Sequence, residues 1–488
     1  MKHKKLSTRN IAAGLAMAVA MSAAGTAQAV KFEFHGDLDN RFMLFTDQGL
    51  FPSKAQITDP TTPENFGNFK YRLWTTAGTD DGSVKGVFAI EVGAVRFGRE
   101  GRTGPSTGGA FSGDGVNIET RWAYVDFSVG RPGRLKTGLQ PFSLDKHLWK
   151  ETAAGILLDG AFGGGKTKYQ FAWMRGSESF NNPNTTNISD DLDGLSAKFK
   201  FNPSENVKLG VFGLVQFSSN KADGTAIDCS PTGSRKGARC WEVKNFAKGG
   251  ADFDLISIGV DGSYTRPTGS GNVFVNWDVI AQDGSLGNTT FTGTDGTVAA
   301  AKDFDISAQM ARFEIGAKVR KFKYKYTLLW QSGDDNPNDR DFDAFLATDM
   351  DSSDSIIFSE ESITSDFFLV ETNYLFDKGI FQNRFDVDYR VNKRLSVGGA
   401  VSLLKLAEDL EYVNASGTRF SSDDLGVEVS GRLKYKIAPR TEFQAQLAFL
   451  SADDAMDFFE GVAGGGPPQD GSSDEDIIKL NARVRYKF

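Results

Sequence analysis

Two sets of charged side chains could together produce an electric field across a narrow, water-filled space. Asp145 and Glu151 lie in the segment 141–153, between two strand-like stretches. The basic set lies on the polar faces of earlier alternating segments: Arg41, Lys70, Arg72 and Arg121. If 141–153 folds back toward those faces, opposite charges oppose each other with water between them, which orients dipolar solutes and sets ion preference. The alternative interpretation is that all six are ordinary solvated wall charges.

Two cysteines, Cys229 and Cys240, lie close together in one polar stretch. An exported chain with an even cysteine count favours a disulfide between them. A bridge that closes so short a loop stabilises it by about 3 kcal/mol in the chain-entropy description. A metal site would need further Cys or His nearby, and the stretch has none.

One stretch is rich in oxygen ligands of the kind that calcium binds. The weak calcium candidates are Asp334, Asn336, Asn338, Asp339 and Asp341. Their spacing is not that of an EF-hand, so a solvated acidic loop is the favoured alternative. No other cofactor is expected.

Catalysis has little support in this composition, because the whole chain has three histidines. His3 lies near the amino terminus, His35 lies on a polar strand face, and His147 lies within 141–153. A hydrolase built on a lipid-facing Ser–His pair needs its histidine on the apolar face instead. We therefore expect no enzyme.

The amino terminus predicts export. A positive start formed by Lys2, Lys4, Lys5 and Arg9 precedes an apolar run over 11–24 and the cleavage-like sequence Ala27-Gln28-Ala29. Residues 1–29 are therefore predicted to be a signal peptide, and 30–488 a single domain. Cleavage would change the formal net charge from −8 to −12, which argues against a nucleic-acid partner. No later run of about 20 apolar residues exists to form a membrane helix.

Strict alternation of apolar and charged residues is clearest at the carboxy terminus. One face carries Ile478, Leu480, Ala482, Val484, Tyr486 and Phe488. The other carries Lys479, Asn481, Arg483, Arg485 and Lys487. Such a strand has one face in an apolar medium and one in water, which excludes a sheet buried on both sides.

Similar alternation recurs along the chain and predicts an all-β, antiparallel transmembrane barrel. The predicted strands are 31–45, 66–79, 84–97, 117–128, 134–140, 154–162, 166–175, 193–202, 207–217, 253–265, 272–282, 305–319, 322–331, 381–391, 395–407, 424–436, 441–451 and 477–488. The count is eighteen, with sixteen as the alternative. A barrel of this size encloses an aqueous lumen.

Short and long connections alternate, as short periplasmic turns and long external loops do in outer-membrane barrels. The predicted external loops include 332–379 and 408–423. The segment 363–376 looks like a strand, but a strand there would break the up-and-down parity, so we assign it to the first of these loops.

Three segments carry a resemblance to a known family. Glu119-Thr120-Arg121-Trp122-Ala123-Tyr124-Val125-Asp126-Phe127 and Leu135-Lys136-Thr137-Gly138-Leu139-Gln140-Pro141-Phe142 resemble the strands before the pore-folding loop of trimeric general porins. Trp330-Gln331-Ser332-Gly333-Asp334 and the terminal Phe488 are also similar to that family, with the homotrimeric porins of sulfate-reducing bacteria as a candidate subgroup.

The resemblance implies a homotrimer in which the third loop, 141–153, folds into each barrel. It also implies that Arg121 is an inward basic residue. The loop lacks the Pro-Glu-Phe tripeptide common in enterobacterial porins, so its acidic positions are not carried over.

We therefore expect an outer-membrane porin for passive diffusion of small hydrophilic solutes and ions, in contact with lipid and lipopolysaccharide. The alternative is a substrate-specific channel, either for anions such as phosphate or for sugars, with Trp149 and Phe142 as members of an aromatic slide. A surface protein with a plugged lumen is the third interpretation.

Overall fold

The structure is a computed structural model, and it describes residues 30–46, 64–98, 118–130, 133–177, 191–219, 243, 252–289, 302–336, 339–348, 354–358, 378–460, 469–473 and 476–488. A 3-10 helix spans Asp454–Phe459. The strands of these residues are β1 (Lys31–Phe45), β2 (Glu64–Gly78), β3 (Val84–Arg96), β4 (Ile118–Ser128), β5 (Arg134–Asp145), β6 (Trp149–Phe162), β7 (Thr167–Ser177), β8 (Leu192–Ser204), β9 (Val207–Ser219), β10 (Asp252–Thr268), β11 (Gly271–Thr289), β12 (Lys302–Val319), β13 (Phe322–Gln331), β14 (Asp341–Phe342), β15 (Ile380–Arg390), β16 (Leu395–Val413), β17 (Arg419–Ala438), β18 (Thr441–Ala452) and β19 (Ile477–Lys487).

Eighteen of these strands form one closed antiparallel barrel. Each wall strand pairs with its neighbours in chain order, and β13 pairs directly with β15. The barrel closes where β1 pairs with β19, from Asp37 opposite Lys487 to Phe45 opposite Lys479. The two-residue β14 is not counted among the eighteen, because it pairs only with Asp305 and Ile306 of β12, in parallel, beyond the point where β13 ends. The prediction of eighteen strands is confirmed, and the alternative of sixteen is wrong.

The alternation in the sequence separates the two faces of the wall. On β19, Lys479 and Asn481 are fully buried on the inner face, whereas Leu480 is 44% exposed on the outer face. A soluble protein would show the opposite arrangement. An exposed apolar outer face suits a lipid environment, and closure leaves no unpaired strand edge.

The connections between strands alternate between short and long, as predicted. At one end of the barrel the strands join through turns as short as two residues, at 269–270, 320–321 and 439–440. Arg320 and Arg440 have positive φ angles of 55° and 60°, as such tight hairpin turns require. The start of β1 and the end of β19 lie at this end of the barrel, and the strands that flank the longer connections end at the other.

The stretch 408–423 is a strand hairpin with a turn at 414–418, so the prediction of a long loop there is wrong. β16 continues to Val413 and β17 starts at Arg419. Its inner face carries Leu410 and Tyr412, which are buried. A register shift between Lys405 and Leu410 breaks the sequence alternation, and acidic residues on the outer face made the segment look like a loop.

The polarity of the two faces is reversed near the loop end of the barrel. On β12, Phe304 and Ile306 are buried inside while Asp305 is exposed outside. Lower on the same strand, Glu314 points inward and Ile315 is exposed outside. The upper wall therefore stands clear of lipid and packs on apolar residues inside the barrel.

Several sequence predictions lie outside the described residues: the signal peptide over 1–29, the pair Cys229 and Cys240, the segment 363–376, and Asn338. In the described part of the chain, no helix is both long and apolar enough to cross a membrane.

Candidate functional site

The segment 141–153 folds into the lumen, as predicted, but as a β-hairpin rather than an irregular loop. β5 pairs with β4 up to Leu139, and β6 pairs with β7 from Ala154 onward. Between these points the two strands pair with each other, from Gln140 opposite Ala153. Trp149 packs against Gly194 of β8, where an added Cβ would lie 2.8 Å from the indole ring. The missing side chain makes room for the hairpin.

A second segment crosses the lumen, and the sequence analysis missed it. We call residues 341–348 and 354–358 the strap. Its first half is hydrogen-bonded to the wall, because Leu346 exchanges two 2.8 Å hydrogen bonds with Gln282 of β11. The Thr348 hydroxyl donates to Gln216 of β9 at 2.9 Å, and its amide donates to Leu148 O on the hairpin tip at 2.8 Å.

The second half of the strap is held by buried charges. Arg312 of β12 donates two hydrogen bonds to the Asp354 carboxylate, at 2.9 and 2.8 Å. Lys146 on the hairpin tip lies 3.8 Å from the same carboxylate. Burial alone would raise the pKa of Asp354, but Lys146 and Arg312 outweigh it and hold that pKa well below its ordinary value.

Three further strands bind this half of the strap. Arg384 and Gln382 of β15 donate to Asp354 O at 2.6 and 2.7 Å. Glu428 of β17 accepts from the amides of the strap at 3.1 and 3.0 Å. Lys479 of β19 donates to Ile356 O at 2.8 Å.

The prediction that 332–379 is wholly an external loop is therefore wrong for its described part. The sequence did contain a signal, since 344–347 and 356–358 are apolar runs within an otherwise polar stretch. Such runs are seldom left in water, and here they form the apolar filling of the upper lumen.

Four of the six predicted constriction residues come together around an acidic residue that was not among them. Glu91 of β3 lies 3.1 Å from Lys70, accepts a hydrogen bond from Arg72, and lies 3.9 Å from Arg121. Arg121 also donates to Glu151 on the inward hairpin. The charges of Arg121 and Glu151 are thus in direct contact, and the expected layer of water between them is absent.

The other two predicted residues lie elsewhere in the lumen. Arg41 is buried on β1 and pairs with Asp39 at 3.0 Å. Asp145 lies on the hairpin tip, where its charged neighbours include Lys198 and Asp261. Alternation predicts the inward direction of Arg41, Lys70 and Arg72, whereas Arg121 lies at a register shift in the pairing of β3 with β4, next to the inward Trp122. The strand register decides which of these residues meet.

The exposure of charged side chains indicates where water reaches the wall. Lys70, Arg72 and Arg121 are 21%, 30% and 26% exposed. Under the strap, Arg312 and Arg384 are only 6% and 1% exposed. The accessible inner wall therefore includes the sector of β1 to β4, and we call this sector the passage wall.

Trp149 and Phe142 do not form the aromatic slide that the sugar-channel alternative expected. Their side chains are buried and pack edge to face, with ring centroids 4.8 Å apart. Their role here is to anchor the hairpin against the wall.

The described calcium candidates lie at the loop end of the barrel, and Asp341 is the first residue of the strap. Asp334 is buried, and its carbonyl accepts from Lys378 at 2.6 Å. Burial, followed by repulsion from Asp341, raises the pKa of Asp343. Across the described ranges, no group of three Asp, Glu, His or Cys side chains is arranged to hold a metal ion. Calcium binding remains a prediction.

Comparison with solved structures shows the same fold. Acinetobacter baumannii OccAB4 and Pseudomonas aeruginosa OpdL each give a TM-score of 0.52, at 10% and 9% identity, over 94% of this chain and 99% of theirs. Pseudomonas aeruginosa OccK9 (OpdG) gives 0.50 at 11% identity, over 94% of this chain and 98% of its own. No protein-family model matches the chain, and no curated protein sequence is significantly similar to it. The fold is that of an outer-membrane β-barrel.

Proposed function

We propose that this protein is an outer-membrane channel for passive diffusion of small hydrophilic solutes and ions. The observation that carries the proposal is a closed eighteen-strand wall whose outer face is apolar and whose inner passage wall bears accessible charges. Barrels with this many strands are too wide for wall side chains alone to fill.

Mixed charge on the passage wall favours a broad solute range over strict anion selectivity. Its acidic residues include Asp37, Asp39 and Glu91, and each contacts at least one arginine or lysine. An anion channel would instead need a run of cations without such partners. One observation favours the alternative of a substrate-restricted channel, namely that both the hairpin and the strap occupy part of the lumen.

The proposed location agrees with the predicted signal peptide and with the apolar outer face. A signal peptide would deliver the chain to the periplasm, and the outward apolar belt would then lie in the outer membrane against lipid and lipopolysaccharide. We also propose, from the resemblance to general porins, that the protein is a homotrimer. No catalytic role is proposed, because His35 and His147, the histidines of the described chain, both lie inside the barrel.

Conductance tests the proposal directly. Purified protein added to a planar lipid bilayer should produce stepwise ion currents, and the reversal potential in a salt gradient should report a modest ion preference. A matched control is an outer-face substitution, Leu480→Ala, which should leave the unit conductance unchanged. Properly folded, heat-modifiable protein that inserts without any current would contradict the open channel and favour a plugged barrel.

A further inference from the structure

An aromatic surface lies in the passage wall, one step below the charged cluster. Strand pairing places His35 opposite Trp74, Trp74 opposite Ala89, and Ala89 opposite Trp122, so four strands contribute to one level. The rings of His35 and Trp74 stack with centroids 5.2 Å apart, and those of Trp74 and Trp122 meet edge to face at 5.7 Å. We call His35, Trp74 and Trp122 the aromatic shelf.

Ala89 is the reason that the two tryptophans can meet. They lie on β2 and β4, with β3 between them, and Ala89 between the two rings is 1% exposed. A larger side chain at this position would separate the indoles. The row is therefore continuous across the wall, although the residues that form it are far apart in sequence.

The shelf faces the passage and is accessible there. His35 and Asp37 lie on the inner face of β1. Trp74 and Arg72 lie on the inner face of β2. The ring of His35 is 35% exposed, and both tryptophans are partly exposed. The hydrogen bonds of the described strap go to the hairpin and to other strands, so those residues do not tie the strap to the shelf.

Directly above the shelf, donors and acceptors alternate. In the strand register, Asp37 lies opposite Arg72, and Arg72 lies opposite Glu91. Each of these residues is two positions along its strand from a residue of the shelf level. At about 3.4 Å per residue this step is roughly 7 Å, the width of one sugar ring. Asp37 also accepts a 2.6 Å hydrogen bond from Arg485.

We infer that the aromatic shelf and this charged row form a subsite for a neutral pyranose ring. Each cation of the row touches a carboxylate, so the row has little spare positive charge for an anion. It does present acceptors beside donors, which matches vicinal hydroxyl groups that both donate and accept. The apolar face of a pyranose would lie on the tryptophans, as in pockets where aromatic walls and few polar groups fix orientation.

The inference deepens the proposed channel function and rests on it. We would titrate maltotriose against full-length protein in a planar bilayer and record the ion current. The expected result is a saturable reduction of the current. Trp74→Ala and Trp122→Ala should each weaken the apparent affinity for maltotriose by roughly 2- to 12-fold, which corresponds to the usual free energy of one aromatic contact. Trp74→Phe should keep most of the affinity, because it keeps an aromatic face.

The matched control is Trp173→Ala, which removes an indole from the outer face of the barrel and should not change the affinity. Tryptophan fluorescence in detergent, titrated with the same sugar, gives a reading that needs no conduction. Saturable quenching without any current would support the shelf while refuting the channel.

Three results would overturn the shelf instead. One is a conducting channel for which maltotriose changes neither the ion current nor the tryptophan fluorescence of the protein. Another is equal weakening in Trp173→Ala. The third is a current that benzoate blocks at concentrations where maltotriose has no effect, since that would identify an anion site.

Discussion

Asp354 is the charge whose removal should release the strap. Its carboxylate accepts two hydrogen bonds from Arg312, and it is almost fully buried, at 2% exposure. Asp354→Asn keeps the size of the side chain but leaves the Arg312 guanidinium without its main countercharge. Breaking a buried ion pair in this way typically costs about 3–5 kcal/mol.

The lower end of that range applies, because Arg312 keeps a second acidic neighbour, Glu314, at 3.2 Å. A cost of about 3 kcal/mol shifts the docking equilibrium roughly 100-fold toward the released strap. The strap should not leave entirely, since Gln282 and Glu428 still bind its backbone. We expect intermittent release rather than a permanently wider lumen.

Single-channel recording is the appropriate assay. The unaltered protein should show a steady unit conductance, and Asp354→Asn should add transient steps of larger conductance. The control is Asp423→Asn, whose partner Lys405 is 43% exposed, because an exposed ion pair of this kind contributes at most about 1 kcal/mol. The control should resemble the unaltered protein.

Identical conductance and noise in all three proteins would refute the claim that this ion pair holds the strap in the lumen. If Asp354→Asn does not fold, Glu428→Gln provides an independent perturbation. It weakens the acceptor of two strap amides on β17 and should produce the same larger steps.

The same anchor predicts how the channel responds to acid. The folded-state pKa of Asp354 is lowered from its ordinary value of 3.8, so its ionised form is favoured by folding. The stabilisation is present above that ordinary value and is lost only as pH falls through the lower, folded-state pKa. Strap release should therefore not increase between pH 7 and pH 4.5, and larger steps that appear at pH 5 would contradict this reasoning.

Three further predictions concern charge, covalent structure and assembly. Arg72→Gln combined with Arg121→Gln should shift the reversal potential toward cations, and Asp145→Asn should shift it toward anions. Both shifts should fade near 1 M salt, where the Debye length is about 3 Å, and unchanged potentials at low salt would contradict them. Cys229 and Cys240 should appear as one linked peptide in non-reducing mass mapping, which two free thiols would disprove. Unboiled protein should migrate as a heat-dissociable trimer, whereas a monomer mass by light scattering would rule that out.

The strands of the wall were predictable because their information is local. Each needs a period of two over about ten residues, and segments such as 322–331 and 477–488 have that period. The prediction was wrong where the two faces change environment, as in the extension of β16 to Val413. There the inner face packs on protein and the outer face is in water, so the pattern no longer looks like a membrane strand.

The site was predictable only in part. The inward direction of Lys70 and Arg72 follows from alternation, whereas the inward direction of Arg121 and the inward folding of 141–153 were implied by the resemblance to general porins. The central role of Glu91 does not, because the sequence shows many inward acids and does not rank them. The sequence also does not predict that Arg41 and Asp145 lie apart from the other four residues.

By itself, the sequence determined the class of fold and, for the membrane-facing part of the wall, which face of a strand is apolar, because a strand exposes alternate residues on opposite faces. The structure decided between eighteen and sixteen strands. Tertiary structure decided which inward residues meet. The aromatic shelf joins His35 to Trp122 across four strands, and the strap joins Asp354 to Arg312 across the lumen. Such contacts depend on strand register and on how a loop folds into a closed barrel, and neither leaves a periodic signal in the chain.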